Sequence, residues 1–400
     1  MTDRLYYNDP SLREFDATIV RVDRRDDRLF VTLDRTAFYP TSGGQPFDTG
    51  RLASLRVIDV VDEEDGSITH VVEPGTLNPE PGQAVHGAID WERRFDYTQQ
   101  HSGQHVLSAA FDKLFGVRTV SFHLGGEVST IDLAREMSPA EIAAAETEAN
   151  RIIWEDRPVT IRFADAEEAA RLPLRKESAR GGTLRLIDVE GFDLSACGGT
   201  HVGRTGAVGS IVVASWERFK GGQRLEFRCG GRALAGYRVL RDAMAASVRL
   251  LSVLPAELPG AIERLQADAR DQKRTVSGLQ SDLARYQAGE LAASAEEVQL
   301  KSASMCRLVT RAVDTDGNGL KNLASAVVAQ PGFLVVLVSA SLPALVVIAR
   351  SSDVEVSAQQ LLAGLIAQFG GRGGGRSEMS QGGGLAATPE SIFDVVRSVI

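Results

Sequence analysis

The sequence predicts an α+β protein in four parts: a small β-barrel-like domain over residues 1–90, an α+β domain over 91–240, a helical linker with coiled-coil character over 241–300, and an α/β domain over 301–400. Three observations predict this. Apolar and polar residues alternate in short runs over the first ninety positions, and the spacing then turns helical and afterwards mixed. A heptad seam fills the third stretch, and strand and helix patterns interleave in the last.

The first part carries Ala17, Ile19 with Val20, then Leu29, Val31 and Leu33, separated by Gly, Pro and Asp clusters. From Phe95 to Leu114 the apolar positions Val106, Leu107, Ala110 and Leu114 fall on one helical face, so a helix carries the segment HSGQH. Ser138, Pro139, Ala140 and Glu141 form a capping box with proline at the first helical position, which starts a second helix running to about Trp154. Strand-like pieces follow at Val159–Phe163, Leu184–Val189 and Ile211–Val213. Ile262, Leu265, Ala269, Gln272, Val276, Leu279, Leu283 and Tyr286 then recur at alternating spacings of three and four. That seam fits either a hairpin within one chain or a coiled coil that pairs two copies. Beyond Ser302 the order is strand, helix, strand, strand, helix, followed by a Gly-rich loop from Gly370 to Gly384 and a last helix.

With 400 residues, several hydrophobic cores are affordable in size. No apolar run reaches the roughly 20 residues that cross a bilayer, and the start MTDRLYYNDP has no apolar signal core, so the expectation is a cytoplasmic protein without a membrane partner. Three cysteines, Cys197, Cys229 and Cys306, are too few and odd in number for a disulfide framework. The net charge of -9 gives no global attraction to phosphate, so a nucleic-acid partner would need local basic surface.

His101 and His105 lie four apart on the expected helix, with both imidazoles on one face. Cys197 and His201 repeat that spacing in CGGTH, where two glycines allow a tight turn. Three nitrogens and one sulfur form a donor set suited to one Zn²⁺ per chain. Four protein ligands close a tetrahedral ion, as in structural sites, so spacing alone leaves structural and catalytic zinc equally open.

With HSGQH, CGGTHV and FYPTSGGQPFDTG (residues 38–50) in one chain and in this order, the sequence resembles the alanyl-tRNA editing family, in its long free-standing form and in the editing domain of alanyl-tRNA synthetases. The heptad helix and GGRGGGR resemble the C-terminal, DHH-associated part of those synthetases. The resemblance implies a deacylase acting in trans on the tRNA for alanine when it carries serine, or glycine in some members. It implies His101, His105, Cys197 and His201 as catalytic zinc ligands, and no aminoacylation domain. Two other readings stay open: a tRNA-binding module with structural zinc, and an editing enzyme for another tRNA such as that for threonine.

Selectivity against alanine calls for a group that bonds the serine hydroxyl. Thr41 is the first candidate and Gln45 the second, with a turn-shaping role for Thr41 as the alternative. His123 is a candidate pocket residue because it follows the helix closely, and Gly198 and Gly199 are candidates to expose N–H donors to the ester. His70 and His86 read as structural. Two basic groups are candidates for tRNA: Arg171, Arg175, Lys176 and Arg180, and then Arg218, Lys220, Arg224, Arg228 and Arg232. Arg372 and Arg376 in the Gly-rich loop are further tRNA candidates, since glycines allow close approach while guanidiniums reach phosphates or bases. Residues 262–286 are a candidate homodimer seam.

Overall fold

A computed structural model describes residues 1–25, 28–75, 78–175 and 182–400. It is a mixed α+β chain that divides into two compact units, Met1–Ala246 and Ser247–Ile400.

The first unit opens with six strands: β1 (Glu14–Arg25), β2 (Arg28–Leu33), β3 (Gly50–Leu52), β4 (Leu55–Asp62), β5 (Ile68–Val72) and β6 (Ala84–Ile89). They close into a barrel in the order β1-β2-β5-β4-β3-β6. The alternation read from sequence puts Ile19, Val31, Leu33, Val57 and Val72 inside it. His70 is buried there, its Nδ1 on the Val31 carbonyl and its Nε2 on the Thr36 hydroxyl. His86 is exposed on β6 beside Asp16.

Helix α1 (Trp91–Phe115) follows, started by the Asp90 side chain and ended by Gly116 in the left-handed region at φ 65°. Strands β7 (Thr119–Leu124) and β8 (Ser129–Leu133) come next, then α2 (Pro139–Trp154), which has the expected capping box at Ser138 and Glu141. After them run β9 (Val159–Ala164), β10 (Leu184–Val189), β11 (Asp193–Ala196), β12 (Ile211–Phe219) and β13 (Gly222–Cys229). One sheet has the order β12-β13-β8-β7 and another β9-β10-β11. The first sheet packs on α1 and α2 through Val106, Phe111, Ile131, Ile152 and Phe227. Gly103, in the middle of α1, admits this packing: a Cβ there would lie 2.2 Å from Cys229 Sγ. All three cysteines are free.

The barrel is tied to α1 by a fully buried ion pair. Arg94 Nε donates to Asp48 at 2.9 and 3.0 Å, and its NH1 donates to the Pro10 carbonyl. Asp48 also accepts from the Tyr39 N–H at 2.6 Å. The Gly-rich segment 38–50 is thereby fastened to the base of the helix that carries HSGQH.

Helix α3 (Gly230–Leu251) runs through the division between the units. The second unit contains α4 (Leu258–Ala293), β14 (Glu296–Gln299), β15 (Met305–Val313), α5 (Gly317–Val328), β16 (Phe333–Ser339), β17 (Ala344–Arg350), α6 (Ala358–Phe369), β18 (Arg372–Gly375), β19 (Met379–Leu385) and α7 (Pro389–Val399). Its sheet order is β14-β15-β16-β17-β19-β18. Alternate residues of β16 face two cores: Phe333, Val335 and Leu337 meet α5 and the end of α4, while Leu334, Val336 and Val338 meet α6 and α7.

One expectation is corrected here, and one of the two open readings of the seam is set aside. The Gly370–Gly384 segment is a β-hairpin, not a loop, with Gly373 paired to Gly382. Glycine disfavours strands on propensity, but a Cβ on Gly373 would lie 2.4 Å from the Gln381 carbonyl oxygen, so close backbone approach selects it. The heptad seam is not the inside of a hairpin: Ile262, Leu265, Val276, Leu279, Leu283 and Tyr286 are 42–76% exposed in the single chain. Among the described residues, no single helix is long and apolar enough to cross a membrane.

Candidate metal centre

The two halves of the four-residue spacing converge. His101 and His105 project from one face of α1 with ring centroids 5.5 Å apart, and the His201 ring lies 4.5 and 4.6 Å from them. Cys197 Sγ is 3.3 Å from Nε2 of both His101 and His201. All four ligand atoms lie within 4.8 Å of one another. A tetrahedral zinc with bonds of about 2.0–2.3 Å separates its ligand atoms by roughly 3.3–3.7 Å; the two Cys197–histidine contacts match that spacing, and the 4.8 Å limit on the others needs only a small inward shift to reach it.

The loop that supplies Cys197 and His201 follows β11 and is shaped by two devices. Gly199 passes so close to His101 that a Cβ would lie 2.1 Å from Cε1 of the ring. Arg185 on β10 donates from NH1 to the carbonyls of Cys197 and Gly199 at 2.8 Å each, and from Nε to the Tyr7 carbonyl at 2.9 Å.

Each imidazole is anchored through Nδ1. His101 Nδ1 lies 2.9 Å from Gln45 Oε1, His105 Nδ1 is 3.1 Å from Asp193 Oδ2, and His201 Nδ1 is 3.3 Å from Ser102 Oγ. The Thr200 N–H donates to the same Gln45 oxygen at 3.1 Å, which fixes that atom as the acceptor and hence His101 as the donor. Asp193 is gripped in turn by Arg175 Nε at 2.6 Å and by the Ser195 hydroxyl. With protons held on Nδ1 of His101 and His105, their Nε2 lone pairs are left for a metal.

The charges of Cys197 and His201 agree with that assignment. Burial pushes the Cys197 thiol up, but His101 and His201 beside it outweigh burial and hold it well below the ordinary thiol range. The Gly199 N–H, 3.4 Å from Sγ, favours the thiolate further. Burial lowers His201 to about 3, so its ring is neutral near pH 7. Burial also acts to lower His105, but its bond to Asp193 outweighs this and raises it. One thiolate and three imidazoles are a donor set for zinc.

The other candidates are placed as follows. Gln45 is buried, and both ends of its amide are engaged: Oε1 as above, and Nε2 on Thr200 Oγ1 at 2.9 Å. It therefore orients His101, and its oxygen is already taken by two N–H donors before a substrate hydroxyl could donate to it. Thr41 is exposed on the same segment, with its N–H on the Val60 carbonyl. Water can solvate its hydroxyl there, so it lacks the burial that strong selection against alanine requires. His123 is exposed on β7, while its neighbour Phe122 lies tilted against the His101 ring with centroids 5.5 Å apart, since successive strand residues face opposite ways. Gly199 directs its N–H at Cys197, which removes it as an oxyanion donor; Gly198 is exposed beside Tyr7.

The basic groups are largely neutralised. Arg224 forms two bonds with Asp132 at 2.7 and 2.8 Å, and Arg228 pairs with Glu226 at 2.8 Å. Arg232 binds Asp96, Arg218 binds Glu136, Arg171 binds Glu167 and Arg175 binds Asp193. Lys176 and Arg180 lie outside the described residues. The acidic partners of Arg224 and Arg232 come from distant elements through strand register and helix packing, so the run of cations in sequence overstated the free charge. Arg372 and Arg376 are exposed and make no ion pair among the described residues.

Sequence reasoning missed Asp193, Ser102, Thr200 and Arg185. Two of them had a local signal: Asp193 stands four residues before Cys197, and Ser102 directly follows His101.

Residues 11–93 match the family model described as tRNA synthetases class II (A), and residues 184–226 match the threonyl and alanyl tRNA synthetase second additional domain. The chain is 34% identical to the alanyl-tRNA editing protein AlaX-L of Pyrococcus horikoshii, over 99% of this chain and 97% of that protein. It is 33% identical to the alanine–tRNA ligase of Pyrococcus abyssi, over 99% of this chain but only 43% of the ligase. A solved structure, the C-Ala domain of Aquifex aeolicus alanyl-tRNA synthetase, matches 26% of this chain and 96% of its own at 21% identity, with a TM-score of 0.24. The second domain model covers the CGGTH ligands, and the similarity to AlaX-L runs along both chains from end to end, so this chain belongs to the alanyl-tRNA editing protein family.

Proposed function

We propose that the chain is a zinc-dependent deacylase acting in trans, which hydrolyses the ester between serine, and secondarily glycine, and the tRNA for alanine. The observation that carries this is the cluster of His101, His105, Cys197 and His201, with all three Nδ1 atoms anchored, in a chain similar to AlaX-L along its whole length. When bound, one zinc ion per chain supplies Lewis-acid polarisation and a water of lowered pKa. The protein's own part is to hold four donors in one protonation state and to admit the ester. The three histidines are buried while Cys197 keeps part of its surface, so approach is from the thiolate side. Thr41 and Gly198, both exposed on the loops that carry Gln45 and Cys197, form the rim that contacts the ester.

In this reading residues 91–240 perform the hydrolysis and residues 301–400 hold the tRNA through Arg372 and Arg376. The exposed seam at 262–286 pairs two copies as a coiled coil, since its six large apolar side chains otherwise face water. The substrate places the activity in the cytoplasm, where tRNA is charged.

Initial rates on tRNA charged with serine, glycine, alanine and threonine test the proposal. Serine should be released fastest and glycine next, with alanine and threonine spared. A chain that holds zinc yet releases none of them would instead support a tRNA-binding module, the alternative that a closed set of four ligands favours.

A further inference from the structure

Strong selection by a hydrogen bond needs a polar group that is out of water and lacks a partner until the right substrate arrives. Thr41 fails that requirement by exposure and Gln45 because its oxygen already accepts from His101 and Thr200. One side chain beside the metal ligands meets it. Gln104, on α1 next to His105, is 3% exposed, and its Oε1 is buried with no hydrogen-bond partner.

Its amide is held in place. Nε2 donates to Ser108 Oγ at 2.8 Å, and Thr119 Oγ1 donates to the same oxygen at 2.7 Å, so the nitrogen end is held in place and the oxygen end is left over. Gln104 lines a cavity of about 610 Å³ together with His105, Phe122 and Asp112. His105 is a ligand and the Phe122 ring lies against another, so this space adjoins the metal centre.

We propose that Gln104 Oε1 accepts a hydrogen bond from the side-chain hydroxyl of the seryl group and is the residue that separates serine from alanine. This rests on the deacylase reading above. The α-ammonium, common to all amino acids, cannot discriminate among them, and the Asp112 carboxylate on the same cavity suits it better by charge. Serine brings the missing donor. Alanine leaves the oxygen unpaired, and glycine loses the same bond. A water at Oε1 would serve every substrate alike, which makes the two explanations separable.

The test compares kcat/KM on seryl-, glycyl- and alanyl-tRNA for the full chain, Gln104→Met and Gln104→Glu, with metal content measured beside it. Gln104→Met keeps volume and removes the acceptor, so the serine rate should fall roughly a hundredfold while glycine and alanine stay within about twofold. Gln104→Glu keeps an acceptor and should keep the preference for serine. Equal losses on all three substrates, or an unchanged preference in Gln104→Met, would overturn the assignment. Binding of stable 3′-amide analogues of seryl- and alanyl-adenosine to the zinc-loaded wild-type chain needs no folded variant. The seryl analogue should bind about tenfold or more tightly, and equal binding would also overturn it. If the wild type releases no amino acid at all, the deacylase reading fails; if it releases serine and Gln104→Met keeps the preference, only this assignment fails.

Discussion

Replacing Asp193 by asparagine should weaken metal binding without removing a ligand. In the native centre one oxygen of Asp193 accepts from His105 Nδ1 at 3.1 Å, the other accepts from Arg175 Nε at 2.6 Å, and the group is 4% exposed. His105 and Arg175 hold this carboxyl below the ordinary carboxylate range, although burial alone would raise it. Asparagine offers a single oxygen, so its NH₂ must face either the His105 N–H or the Arg175 guanidinium, donor against donor. The His105 ring then loses its fixed tautomer or its orientation. Loss of such an anchor costs about 10- to 100-fold in metal affinity, or roughly 1.4–2.7 kcal/mol. Competition with a chromogenic chelator at pH 7.5 reads this directly. Asp188→Asn is the control, because its only ion pair among the described residues is with the exposed Arg162 at 3.4 Å, and it should leave affinity unchanged. Equal affinity in Asp193→Asn and wild type would refute the claim that Nδ1 anchoring organises the site.

Three further outcomes are expected. Arg94→Met leaves Asp48 buried without its cation, and breaking a buried pair in this way should destabilise the first unit by about 3–5 kcal/mol in denaturant titrations; a loss under about 1 kcal/mol would contradict it. His70 is lowered to about 4 by burial, against an unfolded value near 6.5, so the unfolded chain binds a proton that the folded chain does not between those values. Stability should therefore fall with falling pH by up to about 1.4 kcal/mol per pH unit in that window, with no contribution above it. His70→Gln should flatten this part of the profile relative to wild type, and parallel profiles would refute the assignment. Gly199→Ala places a methyl group 2.1 Å from the His101 ring, so the variant should bind less than a tenth of the wild-type metal, about a tenfold effect or more by the same displacement argument as for a lost anchor.

The cluster of three histidines and a cysteine was legible because HxxxH on a helix and CxxxH in a glycine turn fix donor spacing locally. The capping box at Ser138 and the barrel alternation were legible for the same reason, since each depends on residues a few positions apart. Gln45 has a role that its place in the sequence did not suggest. Its distance of 56 residues from His101 hid the bond that employs it. The cations at 218–232 misled for a related reason: Arg224 meets Asp132 only because β8 and β13 pair in that register. His123 was off by one residue, which on a strand means the opposite face. The glycine hairpin was hidden because propensity treats glycine as a loop residue, while here the need is for bare backbone between two strands.

The most direct test follows seryl-tRNA hydrolysis as the metal is stripped by a chelator and restored by titration with zinc, with circular dichroism recorded throughout. Activity should vanish while the fold persists, and return linearly to a sharp break at one equivalent per chain. Hydrolysis that survives complete removal of the metal, or that fails to return when His101, His105, Cys197 and His201 are again filled, would contradict the account.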